Sequence, residues 1–121
     1  MIFICHDDHS NTLITKIHSV FTQDDFEHTF LPKLNQLIEQ HQHINLLFEF
    51  DPDFTGWELT ALWREIKFSI EYFNSINKIA LVGNSNLLKW SFKLLHPFSQ
   101  VFIDRFTHGQ IEKAQAWLAI N

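Results

Sequence analysis

Strand-like and helix-like segments alternate along this chain, and that alternation restricts its fold more than any other feature. The segment Lys78–Gly83 is apolar on both faces, as a strand in the middle of a parallel sheet is. Ile44–Asp51 and Val101–Phe106 are also strand-like, and helical periodicity separates the three segments. Parallel neighbours need a crossover connection, which a helix usually supplies. The order of elements is ββαβαβαβα, which predicts an α/β domain with a mainly parallel five-stranded sheet and four helices.

The first residues depart from this alternation. Ile2–Cys5 is a short apolar run, a polar turn follows it, and Leu13–Phe21 is rich in β-branched residues. This pattern predicts an antiparallel hairpin whose first strand runs at or near an edge of the sheet. Because Cys5 lies in the apolar run, we expect its thiol to be buried and inert.

Four helices are predicted from apolar periodicity and from capping residues, over residues 22–42, 57–74, 87–96 and 109–119. Thr22 is the expected N-cap of the first helix, which should end near Gln42. Pro32 lies inside this helix and lacks an N–H, so we expect a kink there. Thr107 and Gln110 form a capping box for the last helix.

Length and composition predict one domain that spans residues 1–121. The formal charge of −5, without a cluster of Lys and Arg, argues against nucleic acid as a partner. Cys5 is the one cysteine, so no internal disulfide can form, and a reducing cytoplasm fits. We see no signal peptide and no apolar run long enough to cross a bilayer. These features predict a cytoplasmic protein, and they leave peripheral membrane association open.

The helix predicted over Gly56–Asn74 carries apolar side chains on two faces. With residues spaced about 100° apart around the axis, Trp57, Ala61, Phe68 and Tyr72 form a second stripe, away from the face that packs on the sheet. A surface helix of a globular domain needs one apolar stripe. The second stripe therefore needs a second contact surface. That surface is one of four: more of the same core, another chain, a lipophilic ligand or a membrane.

The helix predicted over residues 87–96 has a broad apolar face and a narrow strip of lysines. Trp90 and Leu94 belong to the apolar face, and Lys89 and Lys93 lie one turn apart on the remainder. This distribution is typical of helices at a membrane interface. A helix packed on both sides, with its lysines at the exposed edge, is the simpler alternative.

The eight histidines do not predict a metal site. His6, His9 and His18 lie in or beside the N-terminal hairpin, and His41 and His43 flank the end of the first helix. Neither group has the spacing that places two ligands on one helical face. We therefore expect scattered, solvated histidines and no bound metal.

Asp51 and Asp53 stand at the carboxyl end of a predicted strand, where α/β proteins bind ligands. Two carboxylates could carry out acid–base chemistry there, but aspartates also form turns and favour helix N-termini, which is the interpretation we adopt. The loop after Gly83 lacks the glycines and lysine of a phosphate-binding loop. No pairing of nucleophile and base stands out, so the sequence predicts neither an enzyme nor a cofactor.

Several segments resemble the SpoIIAA-like family, relatives of the STAS domain. The matching segments are Gly-Trp-Glu-Leu-Thr-Ala-Leu-Trp at 56–63, Ile-Lys-Phe at 66–68, Lys-Ile-Ala-Leu-Val-Gly at 78–83, Pro-Phe at 97–98 and Glu-Lys-Ala-Gln-Ala-Trp-Leu at 112–118. The resemblance covers nearly the whole chain and implies a sheet flanked by helices. This fold is also compared with CRAL-TRIO lipid-binding modules, which implies that the two middle helices cover a lipophilic pocket or meet a membrane.

The resemblance also implies where a phosphorylated residue would lie. STAS anti-anti-sigma factors carry a phosphorylatable serine at a strand–helix junction, and here that junction reads Phe-Thr-Gly-Trp-Glu at 54–58. Trp57 falls where the serine would be. Thr55 is the remaining candidate for phosphorylation.

Two functions of different classes follow from these features. The first is a non-enzymatic domain that binds a lipophilic small molecule or a membrane surface. Its contact residues would be Trp57, Ala61, Phe68, Tyr72, Trp90 and Leu94, with Lys89 and Lys93 beside them. The second is a STAS-like protein-interaction module that forms a homodimer or docks a partner, and the same aromatic stripe would then be the core of the interface.

Overall fold

The computed structural model describes residues 1–57, 75–84 and 102–120, with Trp57 described through its backbone alone. Its strands are β1 (Ile2–Asp7), β2 (Thr12–Ile17), β3 (Val20–Phe21), β4 (Ile44–Phe50), β5 (Gly56–Trp57), β6 (Ile76–Val82) and β7 (Phe102–Phe106). Strands β1, β2, β4, β6 and β7 form one sheet in that order, and β3 pairs with β5 beside it. Strand β1 is antiparallel to β2, and every other pair is parallel. This arrangement confirms the predicted five-stranded, mainly parallel sheet with an antiparallel first strand at its edge.

The two faces of the sheet carry separate apolar clusters. On β4, Leu46, Phe48 and Phe50 point to one face, whereas Leu47 points to the other, as the alternation of the strand requires. The first face packs against the helical segment that follows β3. The second face packs against the last helix, α2 (Ile111–Ala119), through Ala114 and other residues. The central strands are buried because each face has its own cover.

The first helical segment begins at its predicted cap but is less regular than expected. Thr22 caps a three-residue helical turn through a capping box with Asp25. A π-helical stretch, Phe26–Phe30, follows, and α1 (Leu31–His41) continues from it. The N–H of Leu31 donates to the carbonyl of Phe26, five residues earlier. The irregularity thus lies before Pro32, which occupies the first turn of α1, where its missing N–H costs little.

The predicted strand over residues 13–21 is interrupted. Strand β2 ends at Ile17, and β3 begins at Val20. Ser19 between them has φ of 57°, in the left-handed region that non-glycine residues rarely adopt. The single strand that we expected is wrong, because the chain leaves the large sheet at Ser19 to pair with β5.

Gly56 and Trp57 were expected to begin a helix, and this expectation is wrong. Both residues lie in β5, where they pair in parallel with Val20 and Phe21. Gly56 has φ of 152°, an extended conformation that suits glycine. The pairing with β3 outweighs the helical periodicity that begins at Gly56. Because Trp57 lies in a strand, helical spacing cannot be used to place it in the second apolar stripe.

Of the four predicted helices, the described residues hold the first and the last. The last begins as predicted at Thr107, whose N–H donates to the side chain of Gln110. The two middle helices, predicted over 57–74 and 87–96, fall on residues outside the described part apart from Trp57. No helix in residues 1–57, 75–84 and 102–120 is long and apolar enough to cross a membrane.

The buried position expected for Cys5 is wrong. The Cys5 side chain is exposed. Strand β1 lies at the edge of the sheet, and it contributes Ile2 and Ile4 to the apolar cluster on one face. Phe3 and Cys5 alternate with them and point the other way, into solvent.

Candidate functional site

Two loops meet at the carboxyl ends of the neighbouring parallel strands β2 and β4. We call the five residues that they contribute the loop edge: His18, Ser19, Asp51, Asp53 and Thr55. The N–H of Asp51 donates to the carbonyl of Ile17 at 2.9 Å, and the N–H of Thr55 donates to the carbonyl of Ser19 at 2.7 Å. These backbone bonds fix the register of one loop against the other.

The side chain of Asp53 strengthens this connection. Its carboxylate accepts the N–H of Ser19 at 3.0 Å and the hydroxyl of Ser19 at 3.4 Å. The bond from the Ser19 N–H is the main reason that the pKa of the Asp53 carboxyl lies below its ordinary value. Asp53 therefore holds Ser19 in its left-handed conformation and joins the two loops at the same time.

Phe54 anchors the second loop to the core. Its side chain is buried, and its ring lies 4.8 Å from the ring of Phe50, measured between centroids. Pro52, Asp53 and Thr55 around it are exposed. The N–H of Phe54 donates to the carbonyl of Asp51, closing the turn that the sequence predicted here. The buried Phe54 therefore fixes the loop to the core, while the outer surface of the loop is polar.

His18 faces both aspartates of the loop edge. Its Nδ1 lies 3.6 Å from a carboxylate oxygen of Asp51 and 3.9 Å from one of Asp53. The three ligand atoms lie within 4.8 Å of one another, and imidazole with carboxylates suits a divalent cation such as zinc or manganese. However, the carboxylate oxygens of both aspartates already accept hydrogen bonds from the protein. The N–H of Ser19 donates to Asp53, and the N–H of Asp53 donates to Asp51. The present geometry is that of a polar connection between loops.

The sequence missed this grouping, because it assigned His18 to the N-terminal hairpin and the aspartates to a separate turn. Adjacent parallel strands bring their carboxyl ends to one edge of a sheet, so the pairing of β2 with β4 was the missing information. The other histidines were expected to be scattered. Instead, Nε2 of His108 forms a hydrogen bond with the carbonyl oxygen of Phe50 at 2.7 Å. This bond connects the loop after β7 to the end of β4, on the same edge of the sheet as the loop edge.

The predicted binding residues lie mostly beyond the described part of the chain. Ala61, Phe68, Tyr72, Lys89, Trp90, Lys93 and Leu94 fall there, so the lipophilic contact surface stays a prediction. Trp57 is fixed at its backbone by the pairing with β3. Thr55 is exposed, and its hydroxyl donates to the carbonyl of Ser19 at 3.4 Å.

Comparison with known proteins identifies the family. A family model described as SpoIIAA-like matches residues 12–119. This chain belongs to the SpoIIAA-like family. The match extends from β2 to the end of α2, so it includes the whole loop edge of this SpoIIAA-like chain. No curated protein matches it.

A solved structure shows the same fold. An uncharacterized protein of the DUF3478 family with a SpoIIAA-like fold, from Shewanella loihica, has a TM-score of 0.71 and 21% sequence identity. The match covers 98% of this chain and 92% of that protein. Together these matches support the SpoIIAA-like part of the resemblance. They do not support the link to CRAL-TRIO modules.

Proposed function

We propose that this SpoIIAA-like chain is a non-enzymatic, STAS-like interaction module that docks a protein partner at the loop edge. The observation that carries the proposal is that this edge is polar, is exposed at Ser19, Asp53 and Thr55, and is held together by hydrogen bonds between two loops. The SpoIIAA-like fold fits such a module. A surface fixed before binding loses little conformational entropy when a partner docks, which favours affinity.

The chemistry of the loop edge suits recognition better than catalysis. Asp53 accepts hydrogen bonds from Ser19 of the other loop, and Asp51 accepts one from the N–H of Asp53. The hydroxyl of Thr55 donates to the carbonyl of Ser19, which is not a base. A nucleophile needs a base within hydrogen-bond reach. Exposed carboxylates can instead pair with Arg or Lys of a partner, which gives orientation and specificity. We therefore expect a basic patch on the partner.

Phosphorylation of Thr55 would regulate this docking. A phosphate adds a charge of about −1.5 to −2, in a loop that already carries Asp51 and Asp53. The added charge would strengthen the attraction to the basic patch expected on the partner. Thr55→Glu should therefore increase partner binding, whereas Thr55→Val, which adds no charge, should not.

Affinity capture from an extract of the source organism tests the proposal. Wild type is compared with Asp53→Arg at the loop edge and with Glu112→Arg, a matched charge reversal on the exposed side of α2. A partner should be retained by wild type and Glu112→Arg and lost by Asp53→Arg. If every captured protein is retained equally by the three baits, the loop edge is not the docking surface.

Light scattering during size-exclusion chromatography then separates a homodimer from a complex with another protein. A concentration-dependent dimer that Asp53→Arg dissociates would identify a second copy of this chain as the partner. A chain that stays monomeric and captures one protein through the loop edge would identify a heterologous complex. A chain that is monomeric and captures nothing would contradict the proposal.

A further inference from the structure

A cleft of about 640 Å³ lies at the opposite end of the sheet from the loop edge, at the amino ends of β4, β6 and β7. Its volume is within the range of about 300–1,000 Å³ that is usual for small-molecule sites. We propose that this cleft binds a small amphipathic organic anion. The proposal is independent of the protein docking proposed above, because the two sites lie at opposite ends of the parallel strands.

The charge of the cleft contrasts with that of the chain. The sequence contains 14 acidic against 9 basic residues, yet the residues described as lining the cleft include no carboxylate. Lys78 contributes a fixed positive charge, and His9, His41 and His43 contribute imidazoles. A concave surface of one sign raises the local concentration of ligands of the opposite sign. The cleft therefore favours an anion, although the chain as a whole repels anions.

Lys78 is held in position by the end of α2. Its ammonium donates to the carbonyl of Trp117 at 2.8 Å and to the carbonyl of Ile120, and it lies 5.3 Å from the centre of the Trp117 ring. An ammonium has three N–H donors. Two of them bond the carbonyls of Trp117 and Ile120, and we assign the third to the anionic group of the ligand.

Asn45 holds the wall of the cleft together. Its side chain is 9% exposed, and its amide N–H₂ donates to the carbonyls of Ser10 and Leu118, both at 3.0 Å. Rotation of the amide would place its oxygen against two carbonyls, so the orientation is determined. The buried Oδ1 then has no hydrogen-bond partner. Such a group is costly to leave unpaired, and here it lies beneath the surface, so the amide of Asn45 contributes to the cleft by fixing its wall.

Two of the most exposed large apolar side chains among the described residues also line this cleft. Phe102 is 72% exposed and Ile120 is 63% exposed. Scattered exposed apolar residues need no explanation, but two around one concave site form an apolar contact for a ligand. The ligand should therefore combine an anionic head and an apolar body.

Titration of ¹⁵N-labelled protein with four probes tests the proposal: octanoate, 2-hydroxyoctanoate, octyl phosphate and 1-octanol. The anions should shift the amide signals of Asn45, Lys78 and Phe102, and should bind at least about tenfold more tightly than octanol, a difference of about 1.4 kcal/mol. 2-Hydroxyoctanoate should bind about as tightly as octanoate, because the buried Oδ1 of Asn45 is out of reach of its hydroxyl. The stronger of octanoate and octyl phosphate then identifies the head group as a carboxylate or a phosphate.

Variants locate the interaction. Lys78→Gln should remove the preference for anions over octanol, whereas Lys113→Gln, a matched change on the exposed side of α2, should keep it. Because Lys78 also contacts the end of α2, Phe102→Ser provides a second variant at a position that contributes little to the core. It should weaken octanoate binding by at least about threefold through the loss of apolar contact. No shift of cleft amides with any probe, or equal affinity for octanol and the anions, would overturn the proposal.

Discussion

The carboxylate of Asp53 accepts the backbone N–H of Ser19 at 3.0 Å, across 34 residues of sequence. This single side chain stabilises a residue with an unfavourable backbone conformation and also joins the loops after β2 and β4. The position of Thr55, whose own N–H bonds to Ser19, depends on the same connection. The geometry of the proposed docking surface thus depends on the Asp53–Ser19 pair together with the backbone bonds between the two loops.

Removal of the Asp53 carboxylate should loosen the loop edge without unfolding the protein. Asp53→Ala should raise the hydrogen-exchange rates of the Ser19 and Thr55 amides several-fold, because local opening no longer breaks the side-chain bond. Amides in the centre of β4 should exchange at wild-type rates. Asp8→Ala, at an exposed acidic position in the turn after β1, is the control. Unchanged exchange at Ser19 in Asp53→Ala would show that backbone pairing alone holds the loops.

The conformation of Ser19 makes a second prediction. Glycine adopts positive φ without steric cost, so Ser19→Gly should change the free energy of unfolding by less than about 1 kcal/mol. Ser19→Val should reduce it by roughly 1–3 kcal/mol, because a β-branched side chain is strained there. Urea melts of both variants measure the difference. Equal stability of the glycine and valine variants would contradict the left-handed conformation.

Asn45 should be important for stability as well as for the cleft. Asn45→Ala would leave the buried carbonyls of Ser10 and Leu118 without their donor, at a cost of about 1–3 kcal/mol in urea melts. Asn77→Ala, at an exposed asparagine on β6, is the matched control and should cost less than about 0.5 kcal/mol. Similar losses in the two variants would show that the hydrogen bonds of Asn45 contribute little.

Acid should destabilise the protein through Asp7 and Asp25. The Ser10 hydroxyl is the main group that lowers the pKa of Asp7 below 3.8. Burial raises the pKa of Asp25, but hydrogen bonds from Thr22 and from the terminal ammonium of Met1 outweigh burial and lower it below 3.8. The unfolded chain therefore binds more protons, so this stabilisation is complete above pH 3.8 and is lost as the pH falls through the folded values.

Urea melts from about pH 6 to pH 2.5 measure this loss, since the slope of stability against pH counts the protons taken up on unfolding. Asp25→Asn should flatten the slope below the ordinary carboxyl pKa. Asp24→Asn changes the neighbouring exposed carboxyl and is the control. A slope in Asp25→Asn as steep as that of the wild type would show that the interactions of Asp25 do not stabilise the folded state.

The core predicts a simple contrast between two phenylalanines. Phe21 is 1% exposed, whereas Phe3 is 57% exposed on the edge strand. Phe21→Ala should cost about 3–5 kcal/mol in urea melts, because it removes apolar contacts and leaves a cavity. Phe3→Ala should cost less than about 1 kcal/mol. A large loss at Phe3 would indicate that another surface covers the outer side of β1 in solution.

The sequence by itself determined the repetitive elements of the described fold. Period-2 alternation identified β4, continuous apolarity identified β6, and capping residues located the start of the first and last helices at Thr22 and Thr107. These signals are local, because each depends on residues within one or two turns of the chain. The order of strands and helices then limited the topology to a mainly parallel sheet.

Only the tertiary structure decided the features that depend on contacts distant in sequence. Cys5 is exposed because β1 is an edge strand, and Trp57 is extended because β5 pairs with β3. His18 lies beside Asp51 because β2 and β4 are neighbours, and Lys78 reaches the end of α2 because of how that helix crosses the sheet. In each case a hydrogen bond or a packing contact outweighs a local preference, and a pattern within one segment carries no information about which segment lies next to it.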